Sequence, residues 1–418
     1  MSNTMQGIIE FGKMLAAPSG PRGIQAVPSN ADMRLLAKRK VPKMIFDFID
    51  GGGGDEITLR ANEKDLQDVI LLPRSLVDVR LQDTTATFAG DNFGLPVIMG
   101  PAGLVRVAGS GGELSAVRAA GKKGVPYVIS TSSAFSIEEI AAEATGPLWF
   151  QLYLWRSKEL VKNLIDRAKE AGCTALVLTV DVPLNANRIR DLRNGMSIPP
   201  KVTLRNAYEA ARRPKWLKGI MTGPPIGFRN LQGIAQGSSA LSHSEFINKE
   251  LANLGATWED LEWLRRQWDG PIYVKGILTA EDAIRAREAG ANGVIVSNHG
   301  GRQLDGLPSS IRALPAIAEA VGRDLEIFMD GGIRTGSDVL KAKALGATAV
   351  LIARPWVFGV AAAGEAGVER VISIFEQEIQ QSLALLGAAR FEDIDSGFAS
   401  FPQSWERNAM TPDLALNR

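Results

Sequence analysis

The chain's 418 residues, 45% of them hydrophobic, suffice for one large α/β barrel or two modest domains with a sizeable core. Its 47 Lys and Arg against 46 Asp and Glu leave a formal net charge of +1, which provides neither the basic footprint of a nucleic-acid binder nor an acidic tail. The single cysteine, Cys173, rules out an intramolecular disulfide framework and fits a reducing compartment; it reads as a small buried residue between a helix and a strand.

Residues 1–28 contain Pro18, Gly20, Pro21, Gly23 and Pro28 and read as a flexible N-terminal tail, with at most a short amphipathic turn over 5–15. Glu10 interrupts that stretch and Lys13 comes late, so the pattern of a secretory signal is missing. No run of about 18 apolar residues reads as a membrane span. Residues 32–48 read as a helical pair or one broken helix. Gly51-Gly52-Gly53-Gly54 breaks it and Asp55-Glu56 restarts structure, giving a helical cap able to fold over one mouth of a barrel.

Eight short apolar runs come next, at 96–100, 127–131, 148–154, 175–181, 272–277, 293–297, 325–330 and 349–354. Most are rich in Val, Ile and Leu without alternation, as parallel strands covered on their outer face require. Amphipathic segments lie between them, among them 112–123, 158–171, 280–289 and 337–345, several succeeded by a glycine suited to a helix C-cap: Gly124, Gly172, Gly290, Gly346. Eight such units closing on themselves make a TIM (β/α)8 barrel; an open doubly wound sheet is the alternative. The expected organisation is a tail over 1–28, a barrel over 29–390 and a C-terminal tail over 391–418. An insert loop, 182–271, lies after the fourth strand. Within it, Lys201, Arg205, Arg212, Arg213, Lys215, Lys218 and Arg229 face one acid, Glu209, with Trp216, Leu217, Ile220 and Met221 interleaved. Such a segment reads either as a solvated lid or as a surface resting on anionic membrane, with 205–235 as the contact. Residues 257–268 read as an ordinary helix.

Function in this barrel sits where strands end. The first strand ends in Pro101-Ala102-Gly103, a floor of small residues, and the second in Ser130-Thr131-Ser132. The third presents Gln151 and Tyr153, the fourth Thr179 and Asp181 with Arg188 and Arg190 just after, and the fifth Lys275. The sixth runs into Ser297-Asn298-His299-Gly300-Gly301-Arg302-Gln303-Leu304-Asp305, which puts an imidazole and a guanidinium three residues apart. That pair suits proton removal from a carboxylate-bearing substrate, since imidazole titrates near neutrality and a guanidinium grips a carboxylate through two parallel hydrogen bonds. The seventh and eighth ends, Asp330-Gly331-Gly332-Ile333-Arg334 and Ala353-Arg354, read together as a phosphate site. Lys275 is either a salt-bridge partner of Asp181 or Asp330, or a cation beside an electron-accepting ring. His243, between two serines in the long loop, reads as surface. No metal-ligand cluster is expected.

On these motifs the chain resembles the FMN-dependent L-2-hydroxy acid dehydrogenase/oxidase family over about 32–387. The residues that carry the resemblance are the 297–305 stretch, Asp330–Arg334, Ile352–Pro355 with Ala353 where Gly is usual, Trp149–Tyr153 and Leu178–Asp181. The pattern around 188–196, 213–216 and 263–270 is most similar to membrane-associated bacterial L-lactate dehydrogenases, with mandelate dehydrogenase close. The resemblance implies FMN as cofactor and His299 as proton acceptor, oriented by Asp181. It implies Arg302 and Arg188 on the substrate carboxylate and Tyr153 near the reacting hydroxyl. Lys275 would sit by the flavin ring, and Gln151, Thr179, Ser130 and Ser297 would contact the ring or ribityl chain. It further implies a quinone acceptor, a homotetramer and a cytoplasmic enzyme peripheral on the inner face of a bacterial cell membrane. A soluble oxidase using oxygen and a non-catalytic flavin-binding barrel are the alternatives. Two positions depart from the family: Phe48 stands where a substrate-contacting Tyr is usual, and Ser132 where some members carry Trp. The first removes a hydroxyl that would serve the substrate carboxylate, so lactate itself is less firmly implied than the reaction type.

Overall fold

The structure, a computed structural model, describes residues 22–196, 203–231 and 253–405. The expected turn over 5–15 and His243 lie outside them. Eight parallel strands lie side by side in chain order and the last pairs with the first to close a barrel, so the TIM reading holds and the open sheet does not. The strands are Val97–Met99, Tyr127–Ser130, Leu148–Tyr153, Ala175–Thr179, Ile272–Ile277, Gly293–Val296, Glu326–Met329 and Ala349–Ile352. Each lies within its expected run and stops up to two residues short of that run's C-terminal end. That shortfall has a physical cause: the last residues leave the hydrogen-bonded ladder to form the loops of the mouth. Helices Gly112–Lys123, Lys158–Glu170, Ala280–Glu288 and Gly336–Ala344 coat the outside.

The opposite, N-terminal mouth is plugged. A hairpin of Ala86–Phe88 and Asp91–Phe93 stacks Phe88 on Phe93 at 4.2 Å and sets Phe88 edge-on to Trp149 and Phe328. Trp149 and Tyr273 stack at 5.1 Å in the same layer. Such packed rings exclude water from that end, so the barrel opens only where its strands finish. The cap forms as two helices, Asn30–Lys40 and Lys43–Asp50, with Ile57–Asp68 after the glycines. The first of them packs against Arg354–Ala363, and that helix against the 22-residue Glu365–Leu386.

Two expectations at the ends need correction. The chain is already ordered against the core at Ile24 and Val27. It also does not become a tail at 391: Phe391 and Ile394 are buried and Ala399–Ser400 pairs with Ile70–Leu71, because apolar side chains beyond the last long helix still find the barrel's flank. No helix among the described residues is long and apolar enough to cross a membrane. Cys173 is buried as expected, and burial pushes its thiol up to about 12. It should therefore resist iodoacetamide in the native protein at mildly alkaline pH and react once guanidinium unfolds the chain. Alkylation at equal rates in both states, read by mass spectrometry, would contradict that burial.

Candidate active site

A cavity of about 670 Å³ opens at the C-terminal mouth of the barrel. Its floor is Pro101, Ala102 and Gly103, its strand walls carry Ser130, Gln151, Tyr153, Thr179 and Lys275, and Arg188 enters from the start of the insertion. His299 and Arg302 face it from the sixth strand end, Asp330, Gly331, Gly332 and Arg334 from the seventh, and Ala353 and Arg354 from the eighth. Phe48 reaches in from the cap. Asp181 and Ser297 stand just behind, touching residues that line it.

Nearly every residue of the 297–305 stretch has a traceable job. Ser297 Oγ accepts from Lys275 Nζ at 2.8 Å and from the His299 backbone N–H at 3.0 Å. Asn298 forms a reciprocal amide pair with Asn62 of the cap, 2.8 Å each way. His299 Nδ1 lies 2.9 Å from Asp181 Oδ1. Since a carboxylate only accepts, Nδ1 carries the proton and Nε2 is left with a lone pair. The His299 backbone has φ of 57°, a left-handed conformation costing a non-glycine residue on the order of 1–3 kcal/mol. That strain is held by the hydrogen bonds of His299 to Ser297 and Asp181. Arg302 Nη1 donates to the carbonyls of Phe48 and Gly51 at 2.9 and 3.0 Å. Gln303 donates to the carbonyls of Asp181 and Leu184, and Asp305 caps the Ile57–Asp68 helix through the N–H groups of Asp55 and Thr58.

Two glycines are required by what touches them. Gly332 has φ of 85°, and a Cβ there would collide with the Asn62 carbonyl. Gly276, at φ of 110° in a bulge of the fifth strand, would drive a Cβ to 2.7 Å from Asp181 Cβ. The catalytic-looking carboxylate is thus seated against a backbone that only glycine supplies.

The mouth is strongly cationic. Lys275 is buried, pairs with Asp330 Oδ2 at 2.8 Å, and remains firmly protonated: burial opposes its charge, but Asp330 and Asp181 outweigh burial. One of the two salt bridges offered by the sequence therefore forms, and the ammonium still faces the cavity. Burial also disfavours the Asp181 carboxylate, yet His299 and Lys275 hold it below the ordinary carboxylate range. Burial and neighbouring guanidinium groups push Arg302 well below its usual value and Arg354 to about 10. Arg354 spends its donors on the carbonyls of Ile49, Gly300 and Gly51. Arg334 donates to Glu63 at 2.8 Å. Arg190 lies apart from the cavity, bonded to Asp50 at 2.9 Å and to Glu56. Buried cations that repel one another favour anionic ligands. Gln151 Nε2, Thr179 Oγ1 and Asp330 Oδ1 are buried without a protein partner, and all three residues line the cavity. Unsatisfied polar atoms gathered on one cavity mark a polar ligand's contacts.

Sequence reasoning missed the main-chain acceptors. The carbonyls at the end of the Lys43–Asp50 helix, which accept hydrogen bonds from Arg302 and Arg354, leave no side-chain signal. It also missed Leu192, Met196 and Phe228 of the insertion, which line the mouth. The spacing of Arg188, Leu192 and Met196 by fours could have placed the last two of that series.

The profile of the FMN-dependent dehydrogenase family matches residues 37–400. An L-lactate dehydrogenase of Vibrio parahaemolyticus is 42% identical over 371 residues, covering 88% of this chain and 97% of that one. One from Caulobacter vibrioides is 43% identical over 365 residues, covering 86% and 94%. Among solved structures, the monotopic membrane protein (S)-mandelate dehydrogenase superposes with a TM-score of 0.87 at 35% identity, covering 90% of this chain and 100% of that one. A mandelate oxidase gives 0.76 at 40% identity, covering 88% and 96%.

Proposed function

The chain belongs to the FMN-dependent dehydrogenase family, and from that premise we propose that it oxidises an L-2-hydroxy acid to the 2-oxo acid and delivers the electrons to a membrane quinone. The observation that carries this reading is His299: Nδ1 is fixed on Asp181 at 2.9 Å, which leaves Nε2 for a cavity that also receives Arg188, Arg302 and Lys275. The residues present fit FMN. Gln151, Thr179 and Asp330 offer buried atoms that still need partners, and Gly331, Gly332, Arg334 and Arg354 offer amides and cations suited to its phosphate. Pro101, Ala102 and Gly103 leave a flat floor, and Ser130 and Ser297 supply hydroxyls. When bound, FMN supplies the acceptor for the two electrons that leave the substrate.

The chain's own groups do the rest. Arg188 and Arg302 hold the substrate carboxylate. Tyr153 stays protonated, because burial and Asp181 push its phenol up, and so it can donate to the reacting oxygen. His299 Nε2 takes up a proton from the substrate, and Asp181 stabilises the imidazolium that results. Lys275 would supply fixed positive charge to a flavin ring bound in this cavity.

Purified protein should be yellow and should bleach when an L-2-hydroxy acid is added without oxygen. Failure to bleach across a broad panel would remove the enzyme claim, whereas rapid peroxide formation without quinone would favour an oxidase. A colour change with no oxo-acid product would favour the non-catalytic flavin-binding barrel.

Membrane contact belongs to the same proposal. The described part of the insertion forms helices Leu204–Ala211 and Pro214–Thr222, with Leu204, Tyr208 and Met221 exposed near Arg205, Arg212, Lys215 and Lys218. Apolar side chains among cations suit an anionic lipid surface on the inner face of a bacterial cell membrane. Deleting 205–222, which spares the cavity-lining Phe228, should release the protein from membranes while leaving turnover with a soluble dye. A deletion variant that still pellets with membranes would count against the insertion as the anchor. The homotetramer is tested by sedimentation of the full chain.

A further inference from the structure

The cavity has two chemically different regions. Its cations come from the loops after strands four to eight. Part of its lining is apolar: Leu192, Met196 and Phe228 come from the insertion, beside Asn185, Asn187 and Asp191, and Val105 and Val107 come from the loop after the first strand. The insertion is stitched to that side of the barrel. Trp216 Nε1 donates to the Val107 carbonyl at 2.8 Å, and the Arg229 N–H donates to the Ser133 carbonyl at 3.2 Å, next to the small Ser132.

Arg188 precedes the short helix Ile189–Asn194 as its N-cap, Leu192 lies on that helix, and beyond Gly195 the Met196 N–H folds back onto the Asp191 carbonyl. All three residues line the same cavity, so a carboxylate held at Arg188 shares it with Leu192 and Met196. Leu192 is 67% exposed although it lines the cavity, so apolar surface there is still open to cover. At the carboxylate end, the Phe48 ring lies 5.8 Å from the Arg188 guanidinium and 5.4 Å from that of Arg302. The ring lies against both cations and adds no hydrogen-bond donor. Grip on the carboxylate alone is thus limited to the guanidinium groups, and discrimination falls to the rest of the acid.

We propose that the substrate is an L-2-hydroxy acid with a bulky apolar side chain, branched alkyl or aryl, packed against Leu192, Met196 and Phe228, rather than lactate. This rests on the dehydrogenase reading above. The reaction is unchanged: the C–OH becomes C=O, His299 takes up one of the two protons released, and FMN, when bound, would supply the acceptor for the two electrons and the second proton.

The test is anaerobic stopped-flow reduction of the FMN-loaded enzyme by L-lactate, L-2-hydroxy-4-methylpentanoate and L-mandelate. The ratio of reduction rate to dissociation constant should be at least about 10-fold higher for one of the two bulky acids, since a single extra buried methylene is worth on the order of 10-fold or more. Lactate equal to or better than both overturns the substrate class and leaves the dehydrogenase reading standing. No reduction by any of the three, or by a wider panel, overturns both. Met196→Gln supplies a second readout: the ratio of bulky-acid to lactate efficiency should fall by about 10-fold. An advantage untouched in that variant, with flavin absorbance normal, would remove the assignment of the side chain to this wall.

Discussion

Replacing His299 with Gln is expected to slow anaerobic flavin reduction by about 10²–10⁴-fold while FMN stays bound. The magnitude reflects the loss of a positioned base. FMN is retained because the hydrogen bonds of His299 run to Asp181 and Ser297, away from the Gly331–Gly332 and Arg354 end that suits the phosphate. Asp181→Asn should fall in the same range for a different reason. An amide can donate to Nδ1, which would turn Nε2 into an N–H with no lone pair for a proton. The native carboxylate is depressed, so its bond to His299 is fully formed above the ordinary Asp range. That contribution is lost as pH falls through the folded value. The check is single-turnover reduction monitored at the flavin band, with absorbance spectra to confirm that FMN is retained. A His299→Gln enzyme reducing within a few-fold of wild type would mean that another group takes the proton.

What the sequence disclosed and concealed divides along a physical line. The barrel strands were legible because a buried parallel strand must be apolar on both faces, and 293–297 or 272–277 could be little else. The plug hairpin was not: strands of three residues, with Thr87, Asp91 and Asn92 turned to solvent, are too short to show a period. The site was legible where chemistry resides in side chains at strand ends, as with Lys275, His299 and Arg354. It was illegible where main chain does the work. Arg302 and Arg354 donate to the carbonyls of Phe48, Ile49 and Gly51, which lie 251 to 305 residues away in the chain. The Asn62–Asn298 pair spans 236 residues and joins two amides that look ordinary in isolation. The four glycines at 51–54 read only as a helix breaker. In the structure the Gly53 N–H meets the Gly301 carbonyl and the Gly54 N–H meets that of Asn187, so they join the cap to two catalytic loops. The tail expected after 390 failed because the apolar side chains of Phe391 and Ile394 outweigh a polar surrounding sequence.

Lys275→Met separates the two roles that the sequence offered for this residue. Removing one member of a buried ion pair leaves Asp330 charged and facing an apolar thioether, with its Oδ1 already lacking a protein partner. That should cost about 3–5 kcal/mol of stability and slow flavin reduction. Stability alone does not identify the cause of slow reduction, so the informative variant is the double one. In Lys275→Met with Asp330→Asn the buried charge is gone from both sides, and denaturant unfolding should recover most of the loss. If Lys275 acts on the reaction through its fixed charge, reduction stays about 10²–10³-fold below wild type even in that stable protein. Recovery of the wild-type rate together with the stability would instead show that the lysine serves only to hold Asp330, and that negative charge developing on the ring is balanced elsewhere. The flavin midpoint potential supplies an independent measure, because loss of an adjacent cation lowers it whatever happens to folding. An unchanged potential in the single Lys275→Met variant, where Asp330 keeps its charge, would place Lys275 outside the electronics of the site.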